Sequence, residues 1–92
     1  MKSILQTSKE CWFCGRSDEL HIHHVIYGQG YKKMSDKYGL TVWLCPKHHN
    51  MSDDGVHFNK ARDLELKQYA QKRFEQKYSH ELWMQEIGRN YL

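Results

Sequence analysis

The chain lacks most of the features that assign a protein to a class at a glance. No stretch approaches the ~18 consecutive apolar residues of a membrane span. The opening MKSILQTSKE holds no apolar run long enough for a secretory signal. The expectation is a soluble, cytoplasmic protein with no membrane partner. Proline occurs once, at Pro46, and there is no internal repeat or low-complexity tract, which excludes solenoids and disordered linkers. Charge of one sign is also missing: 14 basic residues face 11 acidic ones, a net +3. That balance permits nucleic-acid binding without demanding it. Cysteine is scarce, with three residues, an odd number that a disulfide framework leaves unbalanced. In a reducing compartment these are thiols rather than bridges.

What is present is concentrated. Of seven histidines, six lie between His21 and His57, and all three cysteines, Cys11, Cys14 and Cys45, fall in the first half. At 92 residues the chain forms a single domain, short enough to need a staple beyond its hydrophobic core. CWFCG offers two sulfurs two residues apart, in a turn whose backbone amides face them. LCPKHHN offers Cys45 and His48 at the same spacing. Two such turns supply the four tetrahedral ligands of a structural zinc, and the 30 residues between them suffice for a returning hairpin. His49 is an alternative fourth ligand on spacing alone. A redox Cys-x-x-Cys would follow a strand and open a helix, a context absent here.

The pattern of elements is α+β. Leu20 to Tyr27 alternates and reads as a strand, broken by the glycines at 28 and 30. YKKMSDKYG reads as a loop or a short helix capped by Ser35 and ending at Gly39. Leu40 to Cys45 reads as a second strand. A helix can begin at Pro46. From Asn59 a long helix is expected, with Ala61, Leu64, Leu66, Tyr69, Ala70, Phe74 and Tyr78 on its apolar stripe. Ser79 caps a short final helix carrying Leu82, Trp83 and Ile87 and stopping at Gly88. Lys67, Lys72, Arg73 and Lys77 read as a solvated face. Trp83, Ile87, Tyr91 and Leu92 form an apolar tail that could serve a dimer. His21 and His80 read as surface or packing residues, and Trp12, Phe13, Trp43 and Trp83 as core or knuckle-covering aromatics. Lys32, Lys33, Lys37 and Lys47 lie in or near the loops of the histidine region, where they could meet phosphates. Asp53 and Asp54 weaken any purely DNA-binding surface there.

Taken together, CWFCG, LHIHHVIYG and LTVWLCPKHHN resemble the HNH endonuclease superfamily, the ββα-metal fold, and most closely its small phage and prophage zinc proteins. The resemblance runs from Cys11 to the middle of the long helix. It implies a zinc-stapled ββα-metal core over about 11–78 and a C-terminal helical extension over 79–92. It implies His23 and His49 as ligands of a catalytic divalent ion (magnesium, manganese, nickel or zinc), His57 as a third ligand or a phosphate contact, and His24 as the general base. Lys32, Lys33 and Lys47 would be substrate contacts. The implied activity is metal-dependent hydrolysis of nucleic-acid phosphodiesters in a bacterial host cell. One part of the family pattern is missing: the asparagine that opens the second strand is replaced by Gly39 and Leu40. That departure motivates an alternative, a non-catalytic zinc module that binds and inhibits a host defence protein, for example an anti-CRISPR inhibitor of a Cas nuclease.

Overall fold

Alternating β-branched and aromatic residues produce two short strands, β1 (His21–His24) and β2 (Thr41–Leu44). They pair antiparallel, with His21 opposite Leu44 and His24 opposite Thr41. The computed structural model describes residues 2–28, 30–53 and 55–92. Gln29 of the expected strand break and Asp54 of the acidic pair lie outside the described residues. Among those described, four helices complete an α+β architecture: α1 (Tyr31–Tyr38), α2 (Pro46–His49), α3 (Lys60–Lys77) and α4 (His80–Glu86).

β1 is shorter than its apolar pattern. Regular pairing ends at His24, although Val25 N–H still donates to Leu40 O at 3.0 Å. The chain then turns through Gly28, whose φ of 106° suits glycine. The segment after it is a full helix and Ser35 is not its cap. Ser35 is buried inside α1, where its hydroxyl donates to Ile26 O at 2.5 Å and accepts from Ile26 N–H at 3.1 Å. That clamp ties α1 to the end of β1. α1 stops at Gly39, in the left-handed conformation at φ 70°. A Cβ there would lie 3.1 Å from Lys2 O and Ile4 N. With a left-handed φ and backbone this close, any side chain here would be strained, and glycine relieves it.

The polar lead-in is ordered further along than Ile4 and Leu5 suggest. Ser3 Oγ donates to Thr41 O, Ile4 N–H to Gly39 O and Trp12 N–H to Trp43 O. Gln6 Oε1 accepts from Trp43 N–H at 2.8 Å. The open edge of β2 is thereby covered by the chain itself.

α2 begins with Pro46 at its first position, where a missing N–H costs nothing. α3 is capped by Asn59, whose Oδ1 accepts from Arg62 N–H at 3.1 Å, and α4 by Ser79, whose Oγ accepts from Leu82 N–H at 3.0 Å. The buried face of α3 is Leu66, Ala70, Gln71 and Phe74. Leu64 and Tyr78, expected on that stripe, are exposed. Lys67, expected in solvent, is largely covered. It is bonded to Asp63 Oδ2 at 2.7 Å and sits 4.5 Å from the Tyr27 ring centre.

The apolar tail is spent inside the molecule. Trp83 and Ile87 are buried, and Trp83 Nε1 donates to Arg89 O at 2.7 Å. Tyr91 N–H donates to Gln71 Oε1. Buried Gln71 thus ties the C-terminus to α3. Leu92 alone of the four stays exposed.

Candidate metal centres

The first centre is built where the Cys11–Cys14 turn meets the start of α2. Cys11 N–H donates to Arg16 O and Gly15 N–H to Cys11 O, closing the turn, with Gly15 at φ 77°. Cys45 ends β2 and His48 lies one turn into α2. Cys14 Sγ is 3.7 Å from Cys45 Sγ, and His48 Nδ1 is 3.3 Å from Cys45 Sγ and 3.7 Å from Cys11 Sγ. All four ligand atoms lie within 4.8 Å of one another. Ligands at zinc–sulfur and zinc–nitrogen distances of about 2.3 and about 2.0 Å in a tetrahedron are about 3.8 Å (S···S) and about 3.5 Å (S···N) apart. The closest pairs here match those edges, and the 3.7 Å sulfur separation is far beyond a disulfide. Cys11, Cys14, Cys45 and His48 form a compact cluster that could bind a zinc ion.

The thiols' electrostatics fit a cation. Burial pushes the Cys11 thiol up, but backbone hydrogen bonds from Cys45, Cys14 and Phe13 outweigh it and leave its pKa lowered. A backbone hydrogen bond from Arg16 lowers Cys14, yet partial burial and the neighbouring sulfurs of Cys11 and Cys45 leave it raised. Thiolates this close repel one another, and a divalent ion between them removes the conflict. Phe13, its ring centre 5.6 Å from that of His48, screens one side.

The second cluster lies on the other side of α2. Adjacent helical residues point about 100° apart, so His48 and His49 serve different neighbours. His49 Nε2 is 3.2 Å from His57 Nε2, and His49 Nδ1 is 3.1 Å from His21 Nδ1. The His23 ring centre is 5.4 Å from those of both His49 and His57. His23, His49 and His57 each offer a ligand atom within 4.8 Å of the others. The turn that brings His57 back is tight: Val56 N–H donates to His48 O and His57 N–H to His49 O. His23 is buried, and its Nε2 is one of three buried side-chain polar atoms without a hydrogen-bond partner among the described residues. Burial, then His49, His57, His24 and Lys67, drives the His23 pKa down to about 3. Burial with His57 and His21 takes His49 to about 4. Both rings are therefore neutral at pH 7, the form that ligates metals. The orphaned buried nitrogen and the neutral donors fit a divalent ion.

Around this cluster is a cleft of about 320 Å³, lined by His23, His24, His49, His57, Tyr27 and Lys32 among others. Of the predicted substrate lysines it includes Lys32. Lys33 and Lys47 are exposed but do not line it. Lys37 lies against Tyr38 in a separate cleft. His21, read from sequence as a surface or packing residue, joins the histidine cluster. The signal was its spacing: in a strand, residues two apart share a face. Asp36 was not singled out; its Oδ1 is 2.8 Å from His24 Nε2.

Compared with known protein families, with curated proteins and with solved structures, the chain matches none.

Proposed function

We propose that this protein is a zinc-stapled nuclease of the HNH type, hydrolysing nucleic-acid phosphodiesters with a divalent ion held by His23, His49 and His57. The observation that carries this reading is the buried, partnerless Nε2 of His23, which lies with the imidazoles of His49 and His57 beside a cleft that also holds His24 and Lys32. A divalent ion in such a site supplies stabilisation of charge on the phosphate and the leaving oxygen. His24 is then the general base that takes a proton from the attacking water, and Lys32 is placed to contact the phosphate. The four residues of the zinc cluster hold β2 and α2 in place, and with them His49.

The test is a plasmid-nicking assay on protein stripped of loosely bound metal with its zinc retained, then given magnesium, manganese, nickel or zinc. Metal-dependent nicking that disappears in His24→Ala is the expected result. If no metal yields nicking, the nuclease reading is wrong.

A second reading has one observation behind it. A Cβ on left-handed Gly39 would press on the backbone of residues 2–4 at 3.1–3.3 Å, so the slot of the family asparagine serves the packing of those residues. A scaffold that gave up this side chain could act as a binding module inhibiting a host defence protein, for example a Cas nuclease. A stable complex with such a protein, formed by a chain that nicks nothing, would favour it.

A further inference from the structure

His24 closes β1, and the helix above it is held by the Ser35 clamp on Ile26, two residues further along the chain. Leu40 N–H donates to Ser35 O at 2.8 Å, which fixes the far end of the same helix. Asp36 follows Ser35, so its backbone is set by a buried lock although its side chain is 64% exposed. The carboxylate meets His24 Nε2 at 2.8 Å. An ionised carboxylate only accepts. The hydrogen in this contact therefore sits on Nε2, and in the neutral ring the lone pair is on Nδ1.

A partly exposed hydrogen bond of this kind adds little to stability. What it does add is a choice of tautomer and ring orientation, the role that carboxylate partners of functional histidines play elsewhere. We propose that Asp36 is the positioning residue of His24. Its carboxylate holds the imidazole in the Nε2–H tautomer, so that Nδ1 is the nitrogen that accepts a proton. The inference rests on the reading of His24 as the general base. It adds a partner from α1, an element outside the two strands and the α2 segment that carry the histidine pattern.

The experiment uses full-length, zinc-loaded, nitrogen-15-labelled protein. Long-range proton–nitrogen correlation spectra report which ring nitrogen of His24 carries the hydrogen, with His24→Gln identifying the signals. The parent is expected to show a single Nε2–H tautomer, and Asp36→Ala a mixture of the two. In the nicking assay with added metal, Asp36→Ala should lower kcat by roughly 10–100-fold, the usual cost of losing such a supporting partner, with KM nearly unchanged. Asp36 is exposed and bonds no core residue through its side chain, so the variant should fold. An unchanged tautomer in Asp36→Ala overturns the proposal, as does a moved tautomer with the parent's kcat. If the tautomer moves but the parent nicks nothing, the nuclease reading falls while the Asp36 lock on His24 stands.

Discussion

Two adjacent histidines with different neighbours are the feature on which residue-scale tests turn. His48 Nδ1 faces two sulfurs, whereas His49 faces His21 and His57 through its two ring nitrogens. His48→Ala is expected to weaken the tight zinc by more than about 100-fold, beyond the loss typical of an outer-shell partner. His49→Ala is expected to keep it. Zinc titration against a chromophoric chelator, or the cobalt-substituted spectrum of each variant, would show this. Equal loss in both would mean the ligand sets are wrongly divided. The sulfur-containing set was legible because Cys-x-x-Cys and Cys-x-x-His encode a local turn geometry that spacing preserves. The choice between His48 and His49 was not, because spacing does not say which way an imidazole on a four-residue helix points. Asp36 was invisible for a similar reason. Its contact with His24 spans 12 residues and depends on the Ser35 clamp, which resembles any other serine in a helix.

At the scale of elements, the turn from α2 to α3 and the junction of α3 with α4 are the sensitive joints. A Cβ on Gly55 would come within 2.8 Å of His49 O, a backbone atom that cannot swing aside. Gly55→Ala is therefore expected to push the returning strand of that turn off α2 and to disturb His57 first. Binding of a second divalent ion, followed by calorimetry, should weaken while the first zinc remains. Unchanged second-site binding would show that the turn tolerates the shift. At the other joint, Glu75 Oε2 accepts from Gln71 Nε2 and pairs with His80 Nδ1, both at 2.7 Å, clamping the end of α3 to the start of α4. Burial raises the Glu75 pKa, but the bonds from Gln71 and His80 outweigh it and leave it lowered. A carboxylate with a depressed folded pKa contributes stability above its unfolded value, near 4.5, and loses it as pH falls through the folded value. The stability difference between parent and Glu75→Gln, typically below about 1 kcal/mol for a partly exposed pair, should be present at pH 6 and shrink as pH falls below 4.5. Denaturant melts of both proteins across that range would check it, and a pH-independent difference would refute it. The long helix from Asn59 and the short one capped by Ser79 were readable from sequence. The true buried face of α3 was not. A polar residue, Gln71, completes that face by bonding Tyr91 N–H, Asn90 and Glu75, and apolar periodicity gives no weight to a glutamine.

For the whole molecule the question is what keeps a two-stranded sheet folded, since a lone hairpin is marginal in water. The buried apolar residues form one cluster in which Cys11 and Cys45 sit with Val42, Leu44, Leu66, Phe74 and Trp83. Two of the four candidate zinc ligands, Cys11 and Cys45, are thus part of the core, and the cluster joins the N-terminal turn, the end of β2 and α2 at a single point. A domain of this size has about 5–15 kcal/mol of net stability, while structural zinc binding is worth about 10–16 kcal/mol near neutral pH. Removing the ion should therefore unfold the chain as a unit, and no helical subdomain should survive, because α3 and α4 bury their faces in the same cluster. Trp83, fully buried against Phe74 with ring centres 5.3 Å apart, reports this well. Chelation at 25 °C is expected to shift tryptophan emission to the red and to remove most far-ultraviolet helical signal in parallel, with both returning when zinc is restored. If the helical signal survives a chelator that has demonstrably taken the zinc, the core stands without its metal. The Cys11, Cys14, Cys45 and His48 cluster would then be a local tie on the edge of an independently stable fold.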